Sequence, residues 1–315
     1  MKRIFYKTLI LLALLVPALA YGQSEGSAFD FGNISFALTP KVMEDGSITD
    51  ISLGLVYNEI LGGDYRYRST IVSKNEEFPD LSDSLNARNE KTYEAFILPV
   101  GYRRKSDSTL FWAGIGAYYE YNILNEKGFF DDPELETGGF ERVNSYTNDF
   151  SMHVIGPLID LKFDYVHEYF NISLYGGIVP VFFLAADEEF GIIPFLGEAK
   201  AKHSQTTWGS PYFYVGLDAV IYKYVNLGVH YTFSKLTYEM VDYNFNDSGK
   251  VVWDYPETTV IGHSLQLEAS VLVPLGKEMR FQIGYGYNIN TIVLDSGDIE
   301  DNKHYLILGA KKYAR

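Results

Sequence analysis

From about residue 29 to the C-terminus, apolar and polar residues change places at every second position. Ile51, Leu53, Leu55 and Tyr57 are separated by Ser52, Gly54 and Val56, and the residues Phe111, Ala113, Ile115, Ala117, Tyr119, Tyr121 and Ile123 by Trp112, Gly114, Gly116, Tyr118, Glu120 and Asn122. The same alternation runs through 159–165, 213–221, 225–233, 265–273 and 281–289. Successive side chains on a strand point to opposite faces, so this period predicts β-strands with one aliphatic and aromatic face and one face of Gly, Ser, Asn, Gln and charge. Helical periodicity is nearly absent.

A soluble sandwich and a membrane barrel both alternate in this way, and lengths separate them. Several segments run to ten residues or more, close to the roughly 9–11 that cross a bilayer as a tilted strand. Short connectors near 58–63, 103–108, 166–170, 222–225 and 275–278 alternate with others near 74–90, 125–149, 186–209, 243–257 and 295–302, which are mostly long and rich in Asp, Glu, Asn, Ser and Gly. This rhythm predicts strands near 29–39, 48–57, 64–73, 91–102, 109–123, 150–165, 171–185, 210–221, 225–242, 258–274, 279–294 and 303–313. Twelve is even, which leaves both termini on the short-turn side. The count treats Gly62-Gly63 as part of a tight turn; one long strand over 48–73 would leave ten.

The first 22 residues have a different character. Lys2, Arg3 and Lys7 precede an apolar core from Leu9 to Leu15, followed by Ala18-Leu19-Ala20. Positive end, short apolar core and small-residue site make up a secretory signal, with cleavage expected near Ala20 to Gly22 and residues 23–315 left as a single domain. No later apolar run approaches the roughly 20 residues of a spanning helix.

Composition narrows the chemistry. The chain has no cysteine, which removes disulfides, thiolate metal sites and thiol nucleophiles. A net charge of -15 argues against a nucleic-acid groove, because phosphate binding draws on clustered Lys and Arg. With 47% apolar residues the chain has enough to fold. The 26 Tyr and 21 Phe suit a protein with much interface between apolar and wet surroundings, and Tyr57, Tyr102, Tyr165, Tyr222 and Tyr224 fall by the proposed short turns.

Signal, alternating Tyr- and Gly-rich strands, turn rhythm and a final strand carrying Tyr305, Ile307, Gly309 and Tyr313 together resemble the outer-membrane β-barrel proteins of diderm bacteria, porin-like or of the small outer-membrane type. The ending departs from the pattern, since Ala314 and Arg315 follow the aromatic Tyr313. The resemblance implies an all-β antiparallel transmembrane barrel in the outer membrane. It also implies contact with outer-membrane lipid, and handling by periplasmic chaperones and the barrel-assembly machinery.

By parity the inner face carries Arg66, Arg68, Glu94 or its neighbour Tyr93, Glu120, Asp160, Lys162, Asp164, Asp218, His230 and Glu268. Such a face would make a narrow, mildly acidic passage for small polar or cationic solutes, unless the charges pair and plug it. Asp160, Lys162 and Asp164 read as a self-neutralising ladder. Gly114, Gly116, Gly284 and Gly286 would either clear space for a solute or make room for large neighbours. No cofactor or metal is expected: His153, His167, His203 and His304 lack ligand spacing, and Asp242, Asn244 and Asn246 begin a calcium-loop pattern that fails at Asp247. His230 with Thr232 and Ser234 gives only chance nucleophile spacing, so catalysis is not expected. The acidic groups Asp131, Asp132, Glu134 and Glu136, and Asp295, Asp298, Glu300 and Asp301, would sit in outer loops. There they could bind a host molecule, another protein or divalent cations on a non-conducting barrel. A secreted soluble β-protein with a ligand cavity is the remaining alternative.

Overall fold

A computed structural model describes residues 34–77, 85–130, 144–193, 199–209, 211–246, 251–275, 279–294 and 297–312. The expected signal segment, the 131–136 acidic group, Asp247, Asp295 and Tyr313 to Arg315 lie outside these residues. The described chain forms β1 (Ile34–Val42), β2 (Gly46–Val56), β3 (Leu61–Glu77), β4 (Leu85–Lys105), β5 (Thr109–Phe130), β6 (Asn144–Val166), β7 (Phe170–Val179), β8 (Phe182–Ile193), β9 (Ala199–Gly209), β10 (Tyr212–Ile221), β11 (Val225–Glu239), β12 (Asp242–Phe245), β13 (Val251–Asp254), β14 (Glu257–Pro274), β15 (Met279–Leu294) and β16 (Gly297–Lys312).

Every wall pairing is antiparallel, and β1 pairs with β16, which closes the sheet. Closure leaves no unpaired strand edge facing lipid. β6 pairs with β7 along its lower half and β8 along its upper half; β7 pairs with β10 and β8 with β9. β7 and β8 are therefore two parts of one strand, as are β9 and β10, so the described wall has twelve strands. The small β12–β13 hairpin stands apart from it.

Proline makes these breaks. Val179 pairs with Tyr212 and Phe182 with Gly209, so Pro180 stands across from Pro211 in the register and neither has an N–H to give the ladder. Val179 and Phe182 both point inward, buried, while Pro180 and Val181 between them are exposed. β4 does the same: Leu98 and Gly101 are buried on either side of exposed Pro99 and Val100, at a register shift. Each bulge shifts the alternation by one residue and keeps apolar residues facing outward above and below it.

Two expectations change. Gly62 and Gly63 are not the turn itself: the turn is Tyr57 to Ile60, where Asn58 Oδ1 accepts the N–H groups of Ile60 and Leu61, and the glycines open β3 at a bulge. The polar connectors are also largely strand. β5 and β6 pair from Thr109–Tyr165 out to Phe130–Asn144, and most of 186–209 is the β8–β9 ladder. A strand of 22 residues at about 3.3 Å each and a tilt near 40° rises roughly 55 Å, against about 30 Å of hydrocarbon. Beyond the bilayer both faces are wet, so the ladder continues while the apolar alternation stops. The wall is lower at β1 and β2, which are joined by only Met43, Glu44 and Asp45.

Candidate functional site

The barrel interior is built from the even positions of β2, β3, β5, β6, β8, β10, β11, β14 and β15, the odd positions of β1, β7, β9 and β16, and on β4 the even positions as far as Leu98 and the odd ones from Gly101. Near the short-turn end Lys162 Nζ lies 3.3 Å from Asp164, which also accepts from Ser173 Oγ at 2.5 Å. His230 meets Tyr175 Oη at 2.5 Å and Asp218 at 3.3 Å through its two ring nitrogens, so its partners are not Thr232 or Ser234.

At mid-height the side chains meet across the lumen. Arg66 of β3 donates to Asp160 of β6 and, at 2.7 Å, to Tyr214 Oη of β10; Tyr214 itself donates to Asp160. Arg66 Nε also faces Asp64 at 3.2 Å, and the guanidinium lies over the rings of Phe96 and Tyr214. One strand further round, Arg68 pairs with Asp50 at 2.7 Å, Lys41 bridges Asp50 at 2.8 Å and Glu268 at 2.6 Å, and Tyr305 donates to Glu268 at 3.0 Å. Glu94 and Glu120, directly opposite on β4 and β5, converge on the hydroxyl of Tyr118, and Asn122 donates to Glu120 at 2.6 Å. Tyr118 stacks on Tyr212 at 4.9 Å. Lys41, Asp160 and Glu268 are almost fully buried.

Beside this polar network, Leu98, Leu158, Val179, Phe182 and Leu184 pack with Trp112 and Tyr118 as an apolar cluster within the barrel. The glycines give way to rings. Gly177 lies beneath Tyr214, and Gly286 beneath Tyr305, so that a Cβ at either position would collide with the ring. Space left by Gly286 is thus filled by Tyr305, and space at Gly114 by Trp112 and Leu98.

Arg66 and Asp160 come together; Arg68 and Glu268 join through Asp50 and Lys41; Lys162 and Asp164 form one small group and Asp218 and His230 another. Glu120 bonds to Tyr118 and Asn122. Lys41, Asp50, Asp64, Tyr118, Tyr214 and Tyr305 were not among the residues singled out from the sequence. Asp50 was legible, being on the same face of β2 as Ser52 and Gly54. Lys41 was not, because the alternation ended before it. Of the tyrosines, Tyr118 and Tyr305 were read only as members of alternating strands, and the interface expectation concerned Tyr57, Tyr102, Tyr165, Tyr222 and Tyr224.

The outer face is different throughout. Ile115, Ile159, Leu161, Leu174, Val215, Leu217, Leu227, Val229, Val271, Ile283 and Leu306 are all exposed on it, an apolar belt far beyond what a water-soluble surface carries. Exposed Tyr57, Tyr102, Tyr169, Tyr222 and Tyr224 border the belt at the short turns. Among the described residues no helix is long and apolar enough to cross a membrane; the strands do so.

The closed antiparallel wall with its outward apolar belt makes the chain a membrane-spanning β-barrel. No protein-family model matches it, and no curated relative does. Among solved structures it is similar to the translocator domain of the autotransporter NalP from Neisseria meningitidis, with 11% identity, TM-score 0.41 and coverage of 97% of this chain and 96% of that one. It is similar to the Pseudomonas putida toluene transporter TodX at 9% identity and TM-score 0.46, covering 89% of each chain. The CymD monoaromatic hydrocarbon channel gives 8% identity and TM-score 0.44, covering 90% of this chain and 89% of that one. At TM-scores below 0.5 these likenesses carry no argument about the lumen, which must be read from this barrel's own residues.

Above the belt the rim carries its own charges. Asp301 faces Lys303 at 2.9 Å and Lys74 at 3.4 Å. Burial works against its charge, but the hydrogen bond and charge of Lys303, with Lys74, outweigh it and hold the carboxyl below the ordinary carboxylate range. His203 and Gln205 of β9 hold Glu239 at the end of β11, through an ion pair at 2.9 Å and two backbone hydrogen bonds.

Proposed function

We propose that this barrel is a narrow channel for small polar or cationic solutes that rests closed, with Arg66, Asp160 and Tyr214 as its latch. The observation that supports this is the make-up of the closure. At mid-height it consists of side chains projecting from the wall, held by hydrogen bonds and ion pairs, which exchange partners without refolding any strand. Carboxylates around the latch favour a cation over an anion as it passes. Arg66→Ala combined with Tyr214→Ala removes the cross-lumen contacts.

Single-channel recording in planar bilayers tests the reading. The wild-type protein is expected to show rare, small openings, the double variant a larger and persistent conductance, and a salt gradient a reversal potential of cation-selective sign. Current at the lipid baseline for both proteins would reject a channel. The buried apolar cluster of Leu98, Leu158 and Phe182 favours one other reading, a permanently filled barrel that displays its tall strands at the cell surface. Under that reading both proteins are silent.

A further inference from the structure

Three of the six histidines occupy equivalent places on the outer wall. Descending the outward positions of β6 gives Asp149, Ser151, His153, Ile155, Pro157 and Ile159; those of β14 give Thr259, Ile261, His263, Leu265 and Leu267; those of β16 give Glu300, Asn302, His304, Leu306 and Leu308. His153 and His304 are thus the residues at which their strands leave the apolar run of the belt, and His263 stands one rung below that point, with Ile261 between it and Thr259. Each also stands directly opposite an aromatic residue of the neighbouring strand: His153 opposite Tyr121, His263 opposite Phe233, His304 opposite Tyr287. The ring centroids are 4.2, 5.3 and 4.5 Å apart.

The second contact repeats as well. The tyrosine two residues before each aromatic partner bonds to the histidine Nδ1: Tyr119 to His153 at 2.9 Å, Tyr231 to His263 at 2.8 Å, and Tyr285 to His304. An aromatic-x-aromatic pair on one strand therefore clasps a histidine on the next, three times around the barrel, in a chain whose sequence shows no repeat. With the phenol donating to Nδ1, the neutral ring carries its proton on Nε2, the nitrogen the tyrosine does not use. His153 and His304 are exposed. One rung further out than two of the clasps there is a lysine: Lys235 beyond Phe233 on β11, paired with Ile261, and Lys91 on β4, paired with Ile123 and two strands from His153.

Stacking alone would be served by another aromatic ring. With the phenol as donor, what the clasp adds is an N–H donor on Nε2, and it places it at the upper margin of the apolar belt. The geometry points to a ring of binding points for the phosphate of outer-leaflet lipid headgroups, each made by the Nε2–H of His153, His263 or His304. A phosphate oxygen is an ionised acceptor, for which a hydrogen bond in partly dehydrated surroundings is strongest. The neighbouring lysines match its charge. The bound lipids would fix the height of the barrel in the membrane at three separated points.

Native mass spectrometry of the folded barrel released from detergent, after incubation with bis-phosphorylated lipid A, tests this. The wild-type protein is expected to retain up to three lipids. Each of His153→Phe, His263→Phe and His304→Phe, which keep the stacked ring and remove the donor, should lose one, with affinity at that site falling about 10-fold. The triple variant should retain none above background, and its fold is checked by the heat-dependent shift in gel mobility. The single variants give the same readout if the triple variant does not fold. Tyr119→Phe, Tyr231→Phe and Tyr285→Phe together should weaken retention by freeing the tautomer. Equal retention by wild-type and histidine variants, equal retention of dephosphorylated lipid A, or displacement of lipid by inorganic phosphate at the same concentration would each overturn the assignment.

Discussion

Arg66 and Asp160 are separated by 94 residues and three strands of wall, and they meet inside the barrel with Asp160 almost fully buried. Asp160, its side chain 3% exposed, has no water to fall back on, while Arg66 keeps 23%, so the energetics of the pair are asymmetric. Removing one partner leaves a buried charge alone, whereas removing both leaves a gap that apolar atoms fill.

Arg66→Ala is therefore expected to destabilise the folded barrel by about 3–5 kcal/mol, while Arg66→Met with Asp160→Leu stays close to neutral. Urea titration of the reconstituted protein, followed by gel mobility, measures both. A single variant as stable as the double would show that Asp160 is not buried as described.

The turn between β10 and β11 is strained. Tyr222 and Lys223 have φ of 50° and 66°, the left-handed region that favours Gly and Asn, and Tyr224 N–H closes the turn on Ile221 O at 3.0 Å. Lys223→Gly should stabilise by about 1 kcal/mol. Tyr222→Asn should gain less, because its ring meets Tyr169 edge-on at 5.8 Å in the lower girdle. The same urea titration ranks the two variants.

Gly177 takes the ring of Tyr214 against its backbone, where a Cβ cannot fit. Gly177→Ala pushes that ring away from Arg66 and should cost about 1–3 kcal/mol. At Gly262 an added Cβ meets only the Ser234 hydroxyl, so Gly262→Ala is expected to be nearly silent. Equal effects at the two positions would argue against the ring-over-glycine packing.

Two of the three tryptophans report the inside and the outside of the wall. Trp112 is 9% exposed within the barrel, and Trp208 is 70% exposed on the outer face beside Phe183. In single-tryptophan variants made with Phe at the other positions, lipids brominated near the headgroup should quench Trp208 and leave Trp112 bright. Quenching of Trp112 by lipid would invert the inside and outside of β5.

How much of this was legible depended on where a residue's environment is set. The outward faces of β5, β6, β10, β11, β14 and β15 follow directly from alternation, because lipid on one side and a lumen on the other impose opposite demands on neighbouring residues. Strand ends were less legible. Residues 125–128 and 187–189 are polar on both faces because both faces leave the membrane, so nothing in their pattern marks them as strands; the ladder that continues through them is a property of the neighbouring backbone. Pro99, Pro180 and Pro211 fall inside the strands expected over 91–102, 171–185 and 210–221, and what the alternation did not mark is that they reset the phase within a wall that continues.

The sequence by itself pointed to an all-β barrel, with twelve strands ahead of ten, and separated one apolar face of each strand from one polar face, since period-two patterning is a local property that each strand carries alone. Only the tertiary structure decided what the interior does. Arg66 finds Asp160 and Tyr214, Lys41 finds Glu268, and Tyr118 receives both Glu94 and Glu120. These partners come from strands far apart in sequence, and ring closure with its particular register alone brings them to one height. Length of contact along the chain carries no trace of that height, which is why the same inward residues read equally as a pore or as a plug until the barrel was closed.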